Sequence, residues 1–325
     1  CWSIRAKREI INLAICSRKE VVCGEEWGGM TQTSQELEDR LISDFSAVVA
    51  VKAAFRLGLL ELTDAAAIKR KGVFAGSRSG GLLKKLLRQA GVLEPDSLAL
   101  TEAMREVLAQ RGSALRSIIE FNALSAADCL RFPELLFGSP RRFMTAADTF
   151  DFFQYGRAGT IKAADIQATE PWVDYVSALT EREGAVIAPL MPLDGVATLL
   201  DVGGNSGAFG ACLLAAWPAL SVTVLDLPAV VHIGQRRYAD ADTAARLSFV
   251  AGDARRGPLP PVDAICFKSV LHDWSEEEAR GMLSRAAASL ASGGRLIVVE
   301  RGRVEDEPPT PDIGLGANLV FARFY

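Results

Sequence analysis

Within residues 199–207, Leu-Leu-Asp-Val-Gly-Gly-Asn-Ser-Gly, an apolar run ends in an acid and a glycine-rich turn, and a second apolar run follows. The chemistry open to such a stretch is recognition of a nucleotide. Residues 196–200 have the length and composition of a central parallel strand, and 208–217 can pack back on it as a helix. Gly203, Gly204 and Gly207 lack the Cβ atoms that keep a ligand off the backbone, and a helix N-terminus offers unpaired N–H groups. Taken alone, the turn is also compatible with a tight connection that binds nothing. The dinucleotide pattern G-x-G-x-x-G fails, because Asn205 and Ala208 stand in its second and third glycine places, and a nicotinamide cofactor is disfavoured. Further polar residues follow at strand ends. Asp226 closes a predicted strand at 221–225, Gly252-Asp253 follows one at 247–250, and 263–267 runs into Lys268 and on to His272-Asp273-Trp274. An acid at the tip of the second strand can take both ribose hydroxyls of an adenosine lying beyond the strand ends.

Five segments form one set: 199–207, Val-Leu-Asp-Leu-Pro at 224–228, Gly-Asp at 252–253, Phe-Lys-Ser-Val-Leu-His-Asp-Trp-Ser at 267–275, and Gly-Gly-Arg-Leu-Ile-Val-Val-Glu at 293–300. With them the chain resembles the class I S-adenosylmethionine-dependent methyltransferases. Within that class it is similar to the plant-type and bacterial small-molecule O-methyltransferases that include caffeate- and acetylserotonin-methylating enzymes. The resemblance covers residues 195–320 and, more loosely, the helical region before them. Asn205 stands where the family has its middle glycine.

The resemblance implies an α/β fold, a Rossmann-like doubly wound sheet preceded by a mostly helical winged-helix dimerisation domain. It further implies S-adenosylmethionine as cofactor, a small-molecule hydroxyl as acceptor and no metal. It assigns Asp201, Gly203, Gly204, Gly207, Asp226, Leu227, Asp253 and Lys268 to the cofactor, with Asp253 accepting from the adenine amino group. His272 becomes the general base and Glu300 a carboxylate that orients its ring. Phe153, Trp172 and Asn318 are the expected acceptor contacts. The family's closing strands, with a second carboxylate beside the histidine, are expected to fall beyond Tyr325.

Transfer of a methyl group to a hydroxyl needs an in-line nucleophile, exclusion of water and removal of a proton, and positioning is most of the catalysis. An imidazole, as a class, titrates near neutrality and can accept a phenolic or enolic proton. His272 is one of two histidines; the other, His232, is read as a surface or packing residue without a role. Blander readings stand beside the functional ones. Lys268 is otherwise a solvated strand end, Asp253 a turn residue in Gly-Asp-Ala, and Asp263 a structural strand opener. Ser275 followed by Glu278 is a capping box, so Ser275 is a helix N-cap and not a nucleophile.

These residues have to be held by elements that the rest of the chain supplies. With 325 residues, 49% of them hydrophobic, there is material for two cores, and a net charge of −4 gives no basic footprint for nucleic acid. Cys129, Cys212 and Cys266 are isolated in apolar surroundings and read as buried thiols in a reducing cytoplasm. No apolar stretch approaches the roughly 20 residues of a membrane span. The organisation expected is 1–29 as a disordered or non-native extension before Met30, 30–112 as the winged-helix-like dimerisation domain, 113–190 as a helical linker contributing to the acceptor pocket, and 191–325 as the cofactor domain, truncated at its end. Helical spacing covers 35–62, a second helix runs from Ser77 to a stop at Gly91, and 92–94 with 97–100 form the wing. Lys84, Lys85 and Arg88 lie on the recognition-type helix, but balanced charge over 30–150 favours a homodimer over DNA. Phe150, Phe152, Phe153, Tyr155, Trp172 and Tyr175 serve either as a wall for a flat acceptor or as core. Two other functions fit the same motifs: a regulator or scaffold whose cofactor domain has lost catalysis, and a related non-methylating reaction such as hydroxylation or decarboxylation.

Overall fold

Five apolar runs of strand length recur between residues 198 and 300, separated by helices or loops long enough for crossovers, a pattern that leads to parallel pairing. The computed structural model describes residues 10–14 and 31–300, apart from 63 and 76. Its strands are β1 (Ile10–Ala14), β2 (Thr198–Val202), β3 (Ser221–Asp226), β4 (Leu247–Ala251), β5 (Val262–Lys268) and β6 (Leu290–Glu300). They form one sheet of order β1-β6-β5-β2-β3-β4, and every pairing is parallel. From β2 the chain builds outward through β3 and β4, then returns to β5 on the other side. The order therefore reverses between β2 and β5, where Asp201 pairs with Cys266 and Val202 with Phe267. Doubly wound sheets bind ligands beyond the strand ends at such a switch point.

The chain divides into two units, one holding β1 and residues 153–300, the other residues 31–152. The change falls at 152/153, inside the stretch read from the sequence as a linker. Of segment 1–29, residues 10–14 form β1, with Ile10 opposite Leu296 and Ala14 opposite Glu300. The remainder of that segment lies outside the described residues, as does 301–325 with Asn318.

In the second unit the helices are α1 (Gln32–Ser43), α2 (Phe45–Arg56), α3 (Ala65–Arg70), α4 (Arg78–Gln89), α5 (Glu102–Arg131), α6 (Pro133–Gly138), α7 (Pro140–Ala146) and α8 (Asp148–Phe152). The helical periodicity of 35–62 resolves into two helices because Asp44 leaves helical geometry and caps the second, accepting from the Ala47 N–H at 2.8 Å. Ser77 caps α4 in the same way, and Gly91, at φ +80°, closes that segment as expected. The wing is reduced to an antiparallel bridge between Leu93 and Leu100. Helix α5 bends at Arg111, whose guanidinium pairs with the buried Glu38 at 2.9 Å.

The sheet unit adds α9 (Tyr155–Ala158), α10 (Ala163–Ile187), α11 (Ala208–Ala216), α12 (Pro228–Arg237) and α13 (Glu276–Ser289). Side-chain alternation splits the strands between two cores. Leu199, Val224, Cys266 and Val299 pack with Ile187 and Phe209 on one face, while Leu200, Val202, Phe267 and Leu296 pack with Met282 and Ala286 on the other. Each fully buried leucine contributes about 1.5–3 kcal/mol, which makes the strand ends rigid supports. Helix α13 starts on the expected capping box, Ser275 accepting from the Glu278 N–H and Glu278 reaching back to Ser275. Among the described residues no helix is long and apolar enough to cross a membrane.

Candidate active site

The turn after β2 is shaped by its own neighbours. Gly207 has φ +89°, a conformation costly for residues with a Cβ, and a Cβ there would meet Phe249 at 2.9 Å. At Gly204 a Cβ would overlap the carboxylate of Asp201. Asn205, at φ +52°, takes the left-handed conformation, and asparagine is among the few residues that tolerate it. Its side-chain oxygen accepts from the Ser206 N–H at 2.7 Å, which stiffens the turn.

Asp201 and Asp226 face this turn with different partners. Asp226 accepts from the N–H of Leu227 at 2.7 Å and of Asn205 at 2.8 Å, so the second strand tip grips the first turn. Burial pushes its carboxyl up to about 6 against those two bonds. Asp201 is 1% exposed, and neither carboxylate oxygen has a hydrogen-bond partner. Burial pushes it up to about 7, with Lys268 acting downward and Asp226 upward. A buried polar group without a partner is costly unless something else satisfies it. An unsatisfied carboxylate beside a turn lined by glycines fits a polar ligand with donors to offer.

Lys268 is not the solvated strand end of the bland reading. Its side chain is 6% exposed and its Nζ lies 2.9 Å from Glu183 Oε2 on α10, over the ring of Phe209. Glu183 escaped the sequence reading. The available signal is a charge at 183 beside the buried positions Thr180, Gly184 and Ile187, a spacing that puts it on the packed stripe. The same helix meets the turn through Ser177, whose hydroxyl lies 2.6 Å from that of Ser206, and Arg237 of α12 donates to Ser177 and pairs with Asp174.

Asp253 sits at the end of β4 as expected, but Arg255 holds both its oxygens, at 2.9 and 2.8 Å, and this bond keeps the carboxyl below its usual range despite partial burial. Arg255 also lies 4.1 Å from the ring centroid of Trp274. Neither Arg255 contact was foreseen.

Past β5, Ser269 at φ +54° turns the chain into a short helical segment that carries His272. Nδ1 of His272 is 2.7 Å from Glu300 Oε2. Glu300 Oε1 accepts from the N–H of Val270 at 2.9 Å and of Leu271 at 2.8 Å, so the carboxylate is fixed before it touches the ring. Burial works against its ionisation, but the bonds to His272 and to these two backbone groups hold the carboxyl below the usual range. The ring is 19% exposed, while His232 is exposed on α12.

Aromatic side chains gather nearby within the same unit. Trp172 and Tyr175 are buried, Phe153 meets both edge-on at 6.1 and 6.5 Å, and Tyr155 stacks on Trp274 at 5.3 Å. Phe150 instead packs on Phe143 in the core of the other unit.

Known proteins are similar to this chain in sequence and in fold. Residues 159–315 match the O-methyltransferase domain model. Demethylspheroidene O-methyltransferase of Cereibacter sphaeroides is 39% identical over 139 residues, covering 41% of this chain but 37% of that relative, well under two thirds of its length. Acetylserotonin O-methyltransferase of Mus musculus is 26% identical over 298 residues, 84% of this chain and 75% of the relative. Human N-acetylserotonin methyltransferase, solved in complex with S-adenosylmethionine, shares the fold with TM-score 0.62 at 20% identity over 89% of this chain and 84% of that one. Over residues 159–315, just under half of its length, the chain is thus similar to the O-methyltransferase domain.

Proposed function

We propose that this chain is an S-adenosylmethionine-dependent O-methyltransferase that acts on a hydroxyl of a small molecule, phenolic or polyketide-like, with His272 as its general base. The observation that carries the reading is the Glu300–His272 pair, held by two backbone N–H groups at the edge of the sheet where the order reverses. The unpartnered Asp201 and the glycine turn support a cofactor at the same edge.

S-adenosylmethionine, when bound, supplies an electrophilic methyl whose bond to sulfur breaks as the acceptor oxygen attacks. Asp201 and the turn at Gly203, Gly204 and Gly207 would hold its methionine portion, Asp226 and Leu227 its ribose, and Asp253 its adenine, with Lys268 as a further contact. The rest of the work falls to the imidazole. Glu300 accepts the Nδ1 proton, which leaves the Nε2 lone pair to take the proton of the acceptor hydroxyl. The resulting imidazolium stays paired with Glu300, so charge developing on the ring is met by a carboxylate already in place. Phe153 and Trp172, within the aromatic cluster, would wall a flat acceptor. The regulator or scaffold reading is not favoured, since the His272–Glu300 pair is intact.

The working unit is read as a homodimer joined through the N-terminal residues, in a reducing cytoplasm that agrees with the free thiols Cys129, Cys212 and Cys266. Calorimetric binding of S-adenosylhomocysteine and transfer of labelled methyl to a panel of phenols, naphthols and polyketide hydroxyls test the activity. The H272A variant is expected to keep cofactor affinity and lose transfer by about 10²–10⁴-fold. Unaltered transfer in that variant removes His272 as the base, and no binding by the wild type removes the cofactor.

A further inference from the structure

His272 lies between two carboxylates, and a tyrosine steers the more distant one. Nδ1 is 2.7 Å from Glu300, whereas Nε2 is 3.4 Å from Asp273 Oδ1, beyond the ~2.7–3.2 Å of a good N–H···O bond. The other oxygen of Asp273, Oδ2, accepts from the Tyr155 hydroxyl at 2.6 Å. Tyr155 opens α9, stacks on Trp274 with an interplanar angle of 28° and meets Trp172 edge-on at 5.3 Å, so its ring is clamped on two sides. The phenol is thus a fixed donor, and Asp273 is set by it.

A neutral imidazole carries one N–H. With that proton on Nδ1 for Glu300, a carboxylate free to close on Nε2 would hold a proton there and remove the lone pair on which a base depends. We infer that Tyr155 is a positioning residue that keeps Asp273 from closing on Nε2 and holding a proton there; the inference rests on His272 serving as the base. Among the described residues, the groups facing His272 and Asp273 include Glu300 from β6 and Tyr155 from α9, besides each other. The surrounding protein pushes the Asp273 carboxyl above its usual range, with His272 and the Tyr155 bond acting downward and Glu300 upward. Asp273 stays ionised most readily while both donors face it.

The Y155F variant keeps the ring and its stacking and removes only the donor. Its kcat is expected to fall about tenfold, with acceptor KM and S-adenosylhomocysteine affinity changed less than about threefold, as for a group acting on the chemical step. The acid limb of its kcat profile moves to higher pH, because a closed Asp273 holds the proton on Nε2. Adding D273N to Y155F removes the charge that closes and recovers most of the lost kcat. Ring signals in NMR spectra report on the resting protein without turnover. The chain has two histidines, and Y155F is expected to move the signals of His272 and leave those of His232 in place. Unchanged kcat and pH profile in Y155F, a double variant no better than Y155F, or unmoved His272 signals each overturn the inference. A wild type that binds S-adenosylhomocysteine but methylates nothing in the panel overturns the methyltransferase reading instead, and the NMR comparison still decides how Tyr155 acts on Asp273.

Discussion

Asp201 is the residue at which stability and binding pull in opposite directions. Its carboxyl is raised to about 7 by burial, while the unfolded chain returns it to the ordinary aspartate range near 4. For an acid raised on folding, the unfolded state ionises first. The stability this group permits is therefore complete below about pH 4 and is lost as pH climbs through 7. The ligand-free protein is expected to melt at lower temperature at pH 8 than at pH 5.5, and D201N should flatten that dependence and raise the pH 8 melting temperature. Binding of S-adenosylhomocysteine to D201N should weaken by tenfold or more, because an amide does not replace a carboxylate acceptor for a cationic amine. Melting curves at the two pH values and one calorimetric titration check both arms. Asp201 was legible in the sequence as an acid at a strand end. Its lack of partners was not, because satisfaction of a carboxylate is a property of the packed neighbours and not of spacing along the chain.

At the scale of elements, the Lys268–Glu183 bridge ties the end of β5 to the C-terminal part of α10. Removing one partner of a buried pair leaves the other uncompensated, which costs about 3 kcal/mol, whereas replacing both with apolar residues of similar volume is often near neutral. E183A is expected to lower unfolding stability by about that amount at pH 5.5, where Asp201 is largely neutral, and E183L/K268M to recover most of it. Equal losses in both variants in urea titrations would show that the pair is not the origin of the effect. Helix α13 makes a local comparison. S275A removes the side-chain half of its capping box and should cost about 1 kcal/mol without touching methyl transfer. That cap was readable because it needs two residue types three positions apart. Lys268–Glu183 was not, because its partners are 85 residues apart and only the completed sheet brings them together. Arg255 shows the same limit: Gly-Asp-Ala-Arg reads as a turn, and the fork onto Asp253 appears once the loop has folded back.

Across the whole molecule, the sheet unit was the most legible part. Strands β2 to β6 are apolar runs with a charged residue at the end or within two residues of it, and parallel strands joined by crossovers leave few ways to place those ends at one edge; β1 was not among the strands read from the sequence. The change of unit at 152/153 was not legible. Helical periodicity tells that a helix buries a stripe but not against what, and α5 carries an unbroken periodic pattern from 102 to 131 through its bend at Arg111. The same ambiguity covers the surface of the N-terminal unit. Phe45 and Val49 lie one turn apart on α2, so they share a face, and they are 64% and 48% exposed. A second copy of the chain is the occupant proposed for that face, since an acidic protein without a basic footprint offers little to nucleic acid. Sedimentation at micromolar concentration is expected to find a dimer for the wild type and a monomer for F45E/V49E. The two substitutions lie outside the unit that carries Asp201 and His272, so S-adenosylhomocysteine affinity should be unchanged in the monomer. A wild type that sediments as a monomer, or a double variant that remains dimeric, removes α2 from the interface.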